Sequence, residues 1–225
     1  MERTATASGP RPATPRGRDR LVSLGVTAER FPAGTHMCYV FNDDDERLEM
    51  IAKFVESGVR ENEMVGYFSD LLPPDEARAR LRAAGAELPA STDDRRLAIQ
   101  PALATYCPSG RFEPAQMLDR LRTMYSSSMA EGYAGARATG EMTWALRGVA
   151  GSDRLIEYEA LINTVVKEHP TTAICQYDAR RFDGGTLFDV LSVHPMMVIR
   201  GQVVRNPYYI EPDRFLQKHL ARHGA

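Results

Sequence analysis

The sequence predicts an α/β fold with helices on both sides of a mainly parallel central sheet. The first observation is that short apolar segments typical of strands alternate with amphipathic segments of helical period. The second is a length of 225 residues with a hydrophobic fraction of 43%, which suits one domain with a sizeable core. The third is a break at Arg200 and Gly201 in the last apolar segment, which indicates a terminal hairpin.

The elements follow one another in a regular order. The strand candidates cover residues 37–41, 64–68, 97–101, 137–144, 172–177 and 196–205. The first predicted helix lies between Asp43, its expected N-cap, and Gly58, which follows its last turn. The second opens at Pro73 and closes at Gly85. Later helical patterns cover residues 114–131, 152–168, 185–193 and 211–222.

Residues 1–21 are expected to form a disordered basic tail, and residues 22–225 a single folded domain. The tail combines arginines with Pro, Ala, Thr, Ser and Gly and has almost nothing to bury. Its arginines could contact DNA or a protein, although a solvated tail is the preferred interpretation. The formal net charge of −2 gives no general electrostatic case for binding nucleic acid or a membrane.

Three cysteines without close spacing argue against a disulfide framework or a zinc ribbon and favour reduced thiols. No segment approaches the roughly eighteen apolar residues of a membrane-spanning helix, and the N-terminus lacks an apolar signal core. The sequence therefore predicts a soluble, cytoplasmic protein.

The connection after the first predicted core strand differs from a phosphate-binding loop. A P-loop needs glycines for close backbone approach, together with a Lys and a Ser or Thr. Residues 42–46 read Asn-Asp-Asp-Asp-Glu instead, and carboxylates at a helix start cap the amides and repel phosphate. The chain therefore has the pattern of a nucleotide-binding architecture with the P-loop lost.

Several polar or reactive residues lie on the predicted strands, and ligands of open parallel sheets bind beyond the carboxyl ends of strands. Strand alternation places His36 and Cys38 on one face, and Cys175 and Tyr177 together on another. In the 137–144 segment, the alternation separates two sets: Thr139, Glu141 and Thr143 on one face, and Met142 and Trp144 on the other. His194 precedes a proline ahead of the hairpin.

Each candidate also has a structural interpretation. His36 could simply hydrogen-bond inside the core, and buried cysteines often act as small hydrophobes. A buried Glu141 would need a partner, for which Arg137 and Arg147 are candidates. Zinc or haem iron could be bound by a set of four residues, although its spacing matches no standard motif: His36, Cys38, Cys175 and His194.

Enzymatic motifs are absent from the sequence. It contains no Gly-x-Ser-x-Gly, His-Glu-x-x-His or Gly-x-Gly-x-x-Gly. A nucleophilic Cys38 with His36 as base has no obvious third residue to orient the pair. A non-catalytic protein is therefore expected.

Six segments together resemble the MEDS family, the methanogen/methylotroph DcmR sensory domain. They are residues 34–41 (GTHMCYVF), 137–146 (RATGEMTWAL), 157–159 (EYE), 175–178 (CQYD), 194–195 (HP) and 206–209 (NPYY). They occur in order, and the resemblance covers about residues 22–218. It implies a RecA/KaiC-like three-layer fold with the P-loop lost.

The resemblance also implies sensing of small hydrocarbon derivatives, such as halomethanes or ketones, and control of transcription or of a kinase-type signalling partner. The matched positions carried over as ligand-binding candidates are His36, Cys38, Glu141, Trp144, Cys175, Tyr177 and His194. The expected ligand is a small, weakly polar organic molecule in a pocket at the carboxyl edge of the sheet, with no resident cofactor.

The sequence shows neither a helix-turn-helix nor a kinase-like module, so the output is expected to pass through a protein partner or a homo-oligomer. Direct nucleic-acid binding is not expected. Two alternatives remain open. One is a metal- or haem-dependent sensor that uses His36 and Cys38, and the other is a ligand-free scaffold in an anti-sigma or kinase pathway.

Overall fold

A computed structural model of the protein describes residues 19–223, with side chains described for residues 19–218. An antiparallel ribbon of two short strands, β1 (Leu21–Ser23) and β2 (Arg30–Pro32), precedes the main sheet. The main sheet comprises β3 (His36–Phe41), β4 (Glu63–Ser69), β5 (Leu97–Pro101), β6 (Gly135–Glu141), β7 (Thr171–Asp178), β8 (Met196–Ile199) and β9 (Gln202–Arg205).

The spatial order of the main sheet is β5-β4-β6-β7-β3-β8-β9, and every neighbouring pair is parallel except the β8–β9 hairpin. The helices are α1 (Asp44–Arg60), α2 (Pro74–Ala83), α3 (Ala102–Tyr106), α4 (Pro114–Ala130), α5 (Leu155–Glu168), α6 (Gly184–Val193) and α7 (Pro212–His223). The α/β class, the mainly parallel sheet and the terminal hairpin are therefore confirmed.

Helices cover both faces of the sheet and create two cores. Helices α1 and α2 pack on one face, against side chains such as Tyr39 and Tyr67. Helices α4, α5 and α6 pack on the other, against Cys38, Cys175 and Tyr177. Because strand side chains alternate between faces, neighbouring residues of one strand belong to different cores.

Two predicted boundaries are wrong. The strand predicted over 137–144 ends at Glu141, and residues Met142–Arg147 form a 3-10 helix. Helix α1 does not end before Gly58 but continues to Arg60. A Cβ atom on Gly58 would lie 2.8 Å from Val65 Cγ2 and 2.9 Å from Arg137 Cδ, so this glycine permits close packing and does not end the helix.

Two residues before the expected domain boundary at residue 22 are part of the fold. Arg20 is only 5% exposed and forms an ion pair with the buried Glu63, and Leu21 belongs to β1. Residues 1–18 of the expected tail lie outside the described residues. Among the helices described, none is long and apolar enough to cross a membrane.

Candidate functional site

A group of buried polar side chains surrounds the carboxylate of Glu159, on the face of the sheet covered by α5 and α6. We call it the Glu159 cluster. Its members are His36, Glu159, Cys175, Tyr177 and His194, each at most 4% exposed. β3 and β7 supply three of them, α5 supplies Glu159, and His194 follows the last residue of α6.

The cluster is held together by short contacts to the two carboxylate oxygens. Glu159 Oε2 lies 3.2 Å from His36 Nε2, 3.3 Å from His194 Nε2 and 3.2 Å from Cys175 Sγ. Glu159 Oε1 accepts a hydrogen bond of 2.7 Å from the Tyr177 hydroxyl. Cys175 Sγ also lies 3.4 Å from His36 Nε2, and the two imidazole rings are 4.2 Å apart.

The other nitrogen of each imidazole faces an oxygen acceptor. His36 Nδ1 lies 3.1 Å from Asn163 Oδ1. Asn163 Nδ2 donates to the backbone oxygens of Val193 and Ala160, so the amide orientation is fixed and Oδ1 can only accept. His194 Nδ1 lies 2.7 Å from the carbonyl oxygen of Val190. Both Nδ1 atoms are therefore assigned as N–H donors.

Burial changes the pKa values of the cluster residues. Burial and the neighbouring His194 lower the pKa of His36, which favours neutral imidazole. For Glu159, burial raises the pKa, whereas a proton on an imidazole Nε2 facing the carboxylate lowers it below its ordinary value. Burial and Glu159 together raise the pKa of the Cys175 thiol. An ionised Glu159 therefore needs a positive charge beside it, because a neutral imidazole with its proton on Nδ1 offers the carboxylate only a lone pair.

Cys38 lies beside the cluster without a direct contact to Glu159. Cys38 and Cys175 are paired residues of the neighbouring strands β3 and β7. The Cys38 thiol donates to the Met196 carbonyl oxygen at a distance of 3.9 Å. Burial raises the pKa of Cys38 to about 12. Such a thiol is poorly suited to act as a nucleophile.

Glu141 lies on the opposite face of the sheet from the Glu159 cluster. Its carboxylate pairs with Arg47 Nη1 at 2.8 Å and accepts a hydrogen bond from the Tyr67 hydroxyl. The backbone amides of Asp70 and Leu71 donate to its other oxygen at 2.8 and 2.6 Å. Every carboxylate oxygen of Glu141 is thus satisfied by protein groups at the carboxyl edge of the sheet.

Neither of the two arginines suggested by the sequence is the partner of Glu141. Arg137 pairs with Glu63 near the amino ends of the strands, at 2.5 Å, and Arg147 pairs with Asp70 at 2.8 Å. The true partner, Arg47, comes from α1 and is 94 positions away in the chain.

Trp144 belongs to an aromatic core on the same side of the sheet as the Glu159 cluster. It stacks on Tyr106 at a ring-centroid distance of 5.0 Å and lies 4.8 Å from Phe112. Tyr106 of the aromatic core and Cys175 of the Glu159 cluster both line a small cavity of about 10 Å³. The indole Nε1 is buried without a hydrogen-bond partner.

The structure therefore brings together four of the seven predicted residues: His36, Cys175, Tyr177 and His194. It places Cys38 beside them, Trp144 in the adjoining core and Glu141 on the other face. The four do not meet in a pocket at the carboxyl edge, because they lie beneath α5 and α6. Glu159 is not among the seven predicted residues, although it lies in the 157–159 segment of the family resemblance and is a charged residue at a core position of α5.

A groove with a volume of about 630 Å³ lies between α4 and the β4–β5 end of the sheet. Three methionines, Met64, Met117 and Met124, line it together with Phe68 and Leu121. Polar side chains such as Gln100 and Arg120 also line the groove. None of the seven predicted ligand residues lines this groove.

Comparison with known structures identifies the fold. A KaiC-like protein from Pyrococcus horikoshii has a TM-score of 0.58 at 16% identity, with 79% of each chain covered. The flagellar accessory protein FlaH from Methanocaldococcus jannaschii has a TM-score of 0.55 at 12% identity, covering 81% of this chain and 83% of that one. The predicted RecA/KaiC-like fold is confirmed.

Sequence comparison identifies the family. The transcriptional repressor DcmR of Methylorubrum extorquens is 27% identical over 187 residues, which span 79% of this chain and 67% of the repressor. The model of the MEDS family, the methanogen/methylotroph DcmR sensory domain, matches residues 35–195. Because this match covers well over half of the sequence, the chain belongs to the MEDS family of sensory domains.

Proposed function

We propose that this chain is a non-catalytic regulatory sensor that binds a small, weakly polar organic molecule and signals to a protein partner controlling transcription. The family is a sensory one, and a relative is named as a transcriptional repressor. The observation that carries the ligand part of the proposal is the groove between α4 and the β4–β5 end of the sheet.

The groove has the size and chemistry for such a ligand. Small-molecule sites commonly measure about 300–1,000 Å³ and combine apolar walls with a few polar groups. The volume of 630 Å³ lies in this range. Met64, Met117 and Met124 provide flexible, polarisable contacts that can adapt to small apolar molecules of different shape. Gln100 can hydrogen-bond a carbonyl or hydroxyl group.

A bound molecule in the groove would touch side chains that also belong to the interior. Phe68 and Leu121 line both the groove and the small internal cavity next to Cys175. Phe68 contacts Tyr106 edge-on at 5.7 Å, and Tyr106 stacks on Trp144. Ligand binding would thus change the packing of the aromatic core, giving Trp144 an indirect role in sensing.

The surface near α6 offers a site for the partner. Phe188 and Tyr208 are 57% and 55% exposed, and their rings lie 6.2 Å apart. Large exposed aromatic side chains are common anchors of protein interfaces. We therefore assign the output surface to α6 and the segment that follows β9.

The test is a thermal-shift screen of small ketones, alcohols and halocarbons against the protein and an Ala98→Phe variant. Ala98 is exposed and lines the groove, so a phenyl ring there should fill it. A ligand at about one hundred times its Kd should raise the Tm of the unmodified chain by roughly 5–10 °C. We expect Ala98→Phe to lose most of this shift.

Ala83→Phe is the matched control, because Ala83 is exposed at the end of α2 and does not line the groove. It should retain the full shift. Equal stabilisation of Ala98→Phe and Ala83→Phe by an active compound would place the ligand elsewhere. A screen in which no compound stabilises the protein would count against an organic ligand of this class.

A further inference from the structure

We propose that the Glu159 cluster is a binding site for one divalent transition-metal ion of the zinc type, with His36, Glu159, Cys175 and His194 as its four ligands. The inference is independent of the proposed organic-ligand groove, which shares none of these residues. It departs from the sequence-based alternative by replacing Cys38 with Glu159.

The four donor atoms lie close enough together to converge on one ion. One ligand atom from each residue lies within 4.8 Å of all the others. Zinc–nitrogen and zinc–oxygen bonds are about 2.0–2.2 Å and zinc–sulfur bonds about 2.3 Å, so tetrahedral ligand atoms lie roughly 3.3–3.6 Å apart. The contacts of Glu159 Oε2 with His36, His194 and Cys175 range from 3.2 to 3.3 Å.

The hydrogen bonds of the two imidazoles fix which nitrogen faces the site. Since His36 Nδ1 donates to Asn163 and His194 Nδ1 donates to the Val190 carbonyl, a neutral ring presents the lone pair of Nε2 to Glu159 Oε2. Lone pairs directed at a carboxylate oxygen repel it unless a cation lies between them. In metal sites, the second nitrogen of a ligating histidine is typically held by a carbonyl, carboxylate or amide oxygen in this way.

The competing explanation for the close contacts is a proton shared between Glu159 and a histidine. Such a proton leaves one Nε2 atom without a partner. It could lie between Glu159 and only one histidine at a time, since two imidazolium rings 4.2 Å apart would repel each other. His194 Nε2 lies 3.3 Å from Glu159 Oε2 but is not aligned with it for a hydrogen bond, and it has no other partner. A metal ion would engage both Nε2 atoms at once.

Charge balance supports a divalent ion. Binding of M²⁺ would displace the proton of the Cys175 thiol to solvent, leaving a thiolate and the Glu159 carboxylate as two negative ligands beside two neutral imidazoles. The assembled site is then neutral, which is what a fully buried cluster requires. The nitrogen and sulfur donors favour zinc or a similar ion over calcium or magnesium, which prefer oxygen ligands.

Four protein ligands leave no open coordination position, so the site is suited to stabilising or signalling and not to activating a substrate. Tyr177 would act as an outer hydrogen-bond partner, since its hydroxyl donates to Glu159 Oε1 and orients the carboxylate. The ligands come from β3, β7, α5 and the end of α6, so one ion would join four elements.

The first experiment measures metal stoichiometry in the full chain. The protein is unfolded in the presence of a chelator and then refolded by two routes. In the first, it refolds without metal and Co²⁺ or Zn²⁺ is added afterwards. In the second, it refolds with Co²⁺ or Zn²⁺ already present. The second route is included because the four ligands are buried, so a metal ion added to folded protein could be unable to reach them. We expect one equivalent of tightly bound metal, an increased Tm and release of about one proton per ion. Folded protein that binds no metal by either route overturns the proposal.

The second experiment identifies the ligands with Co²⁺ as a spectroscopic probe. The chain has three cysteines, so the double variant Cys38→Ser/Cys107→Ser retains Cys175 as its only thiol. This variant should keep both the stoichiometry and the thiolate-to-cobalt charge-transfer absorption, whereas Cys175→Ser should lose the absorption. Loss of the band in the double variant, or its survival in Cys175→Ser, would contradict the assignment.

The double variant keeps the test decisive if Cys175→Ser does not fold. Repeating the organic-ligand screen on metal-free and metal-loaded protein separates the two proposals. If the chain binds no metal, the metal proposal fails, and the Ala98→Phe comparison still tests the organic ligand. If no organic compound stabilises the chain, the groove proposal fails, and the cobalt spectra still test the metal site.

Discussion

At the scale of single residues, Glu159 shows how one buried carboxylate organises its surroundings. A charged group removed from water is costly unless it is hydrogen-bonded or paired. The Tyr177 hydroxyl supplies a neutral donor to Oε1, while the histidines and Cys175 approach Oε2. The two oxygens therefore have different partners, and their contributions can be tested separately.

Replacing Tyr177 by Phe removes the donor to Glu159 Oε1 and leaves a buried acceptor without a partner. We expect the free energy of unfolding to fall by about 1–3 kcal/mol. Tyr39→Phe is the matched control, because Tyr39 is also buried and its hydroxyl has no hydrogen-bond partner. That change should be nearly neutral or slightly stabilising. Urea denaturation compares the two variants, and equal losses would show that Tyr177 contributes only by packing.

At the scale of elements, an ion-pair network joins the amino ends of β4 and β6 to the β1–β2 ribbon. Glu63 pairs with Arg137 and with Arg20, and Arg137 also donates to the backbone oxygens of Phe54 and Ser23. This network holds Arg20 against the sheet. Glu63 is the carboxylate paired with Arg137, and Arg20 pairs with Glu63 and, at 4.0 Å, with Glu61.

Glu63→Gln should therefore destabilise the protein strongly. The change leaves Arg137 as a buried cation without a paired carboxylate and Arg20 with only Glu61, at 4.0 Å. Breaking such a buried pair typically costs about 3–5 kcal/mol. The control is Glu56→Gln in α1, whose partner Arg60 is 71% exposed, and an exposed pair of this kind contributes about 0–1 kcal/mol. A denaturation experiment in which both variants lose a similar amount would refute a structural role for the network.

Most helices and strands could be predicted from the sequence, but the end of one strand and one contact between elements could not. Helices and core strands were predictable because their apolar residues repeat with periods near 3.6 and 2. The change from strand to 3-10 helix after Glu141 was hidden, since alternation of polar and apolar residues continues through Trp144. The partner of Glu141 was also hidden, because α1 and β6 meet only in the folded chain.

The face of the sheet on which a residue lies was easier to predict than the group of residues that it contacts. Alternation placed Cys175 and Tyr177 correctly on one face, and both contact Glu159. Alternation also separated Glu141 from Trp144, but it could not relate either of them to His36 on another strand. That relation depends on the strand order, which places β7 between β6 and β3.

At the scale of the whole molecule, the Glu159 cluster is connected to the proposed output surface by hydrogen bonds. Asn206 Nδ2 donates to the His194 carbonyl oxygen at 2.7 Å, and Asn206 Oδ1 accepts from the Tyr208 amide at 3.0 Å. His194 also contacts the last turn of α6 through the Val190 carbonyl. A change at His194 thus has short routes to α6 and to Tyr208.

Metal binding should therefore slow amide hydrogen exchange beyond the ligands themselves. With Zn²⁺ as the probe, we expect increased protection in α6 and in residues 206–209, because fixing His194 Nε2 restrains the end of α6 and the Asn206 contacts. The β1–β2 ribbon supplies no ligand and should be unaffected. In Asn206→Ala, zinc should still protect α6, but the effect on residues 206–209 should disappear. Protection confined to residues adjoining the four ligands, with α6 unchanged in the unmodified chain, would separate the metal from the output surface and limit its role to stability.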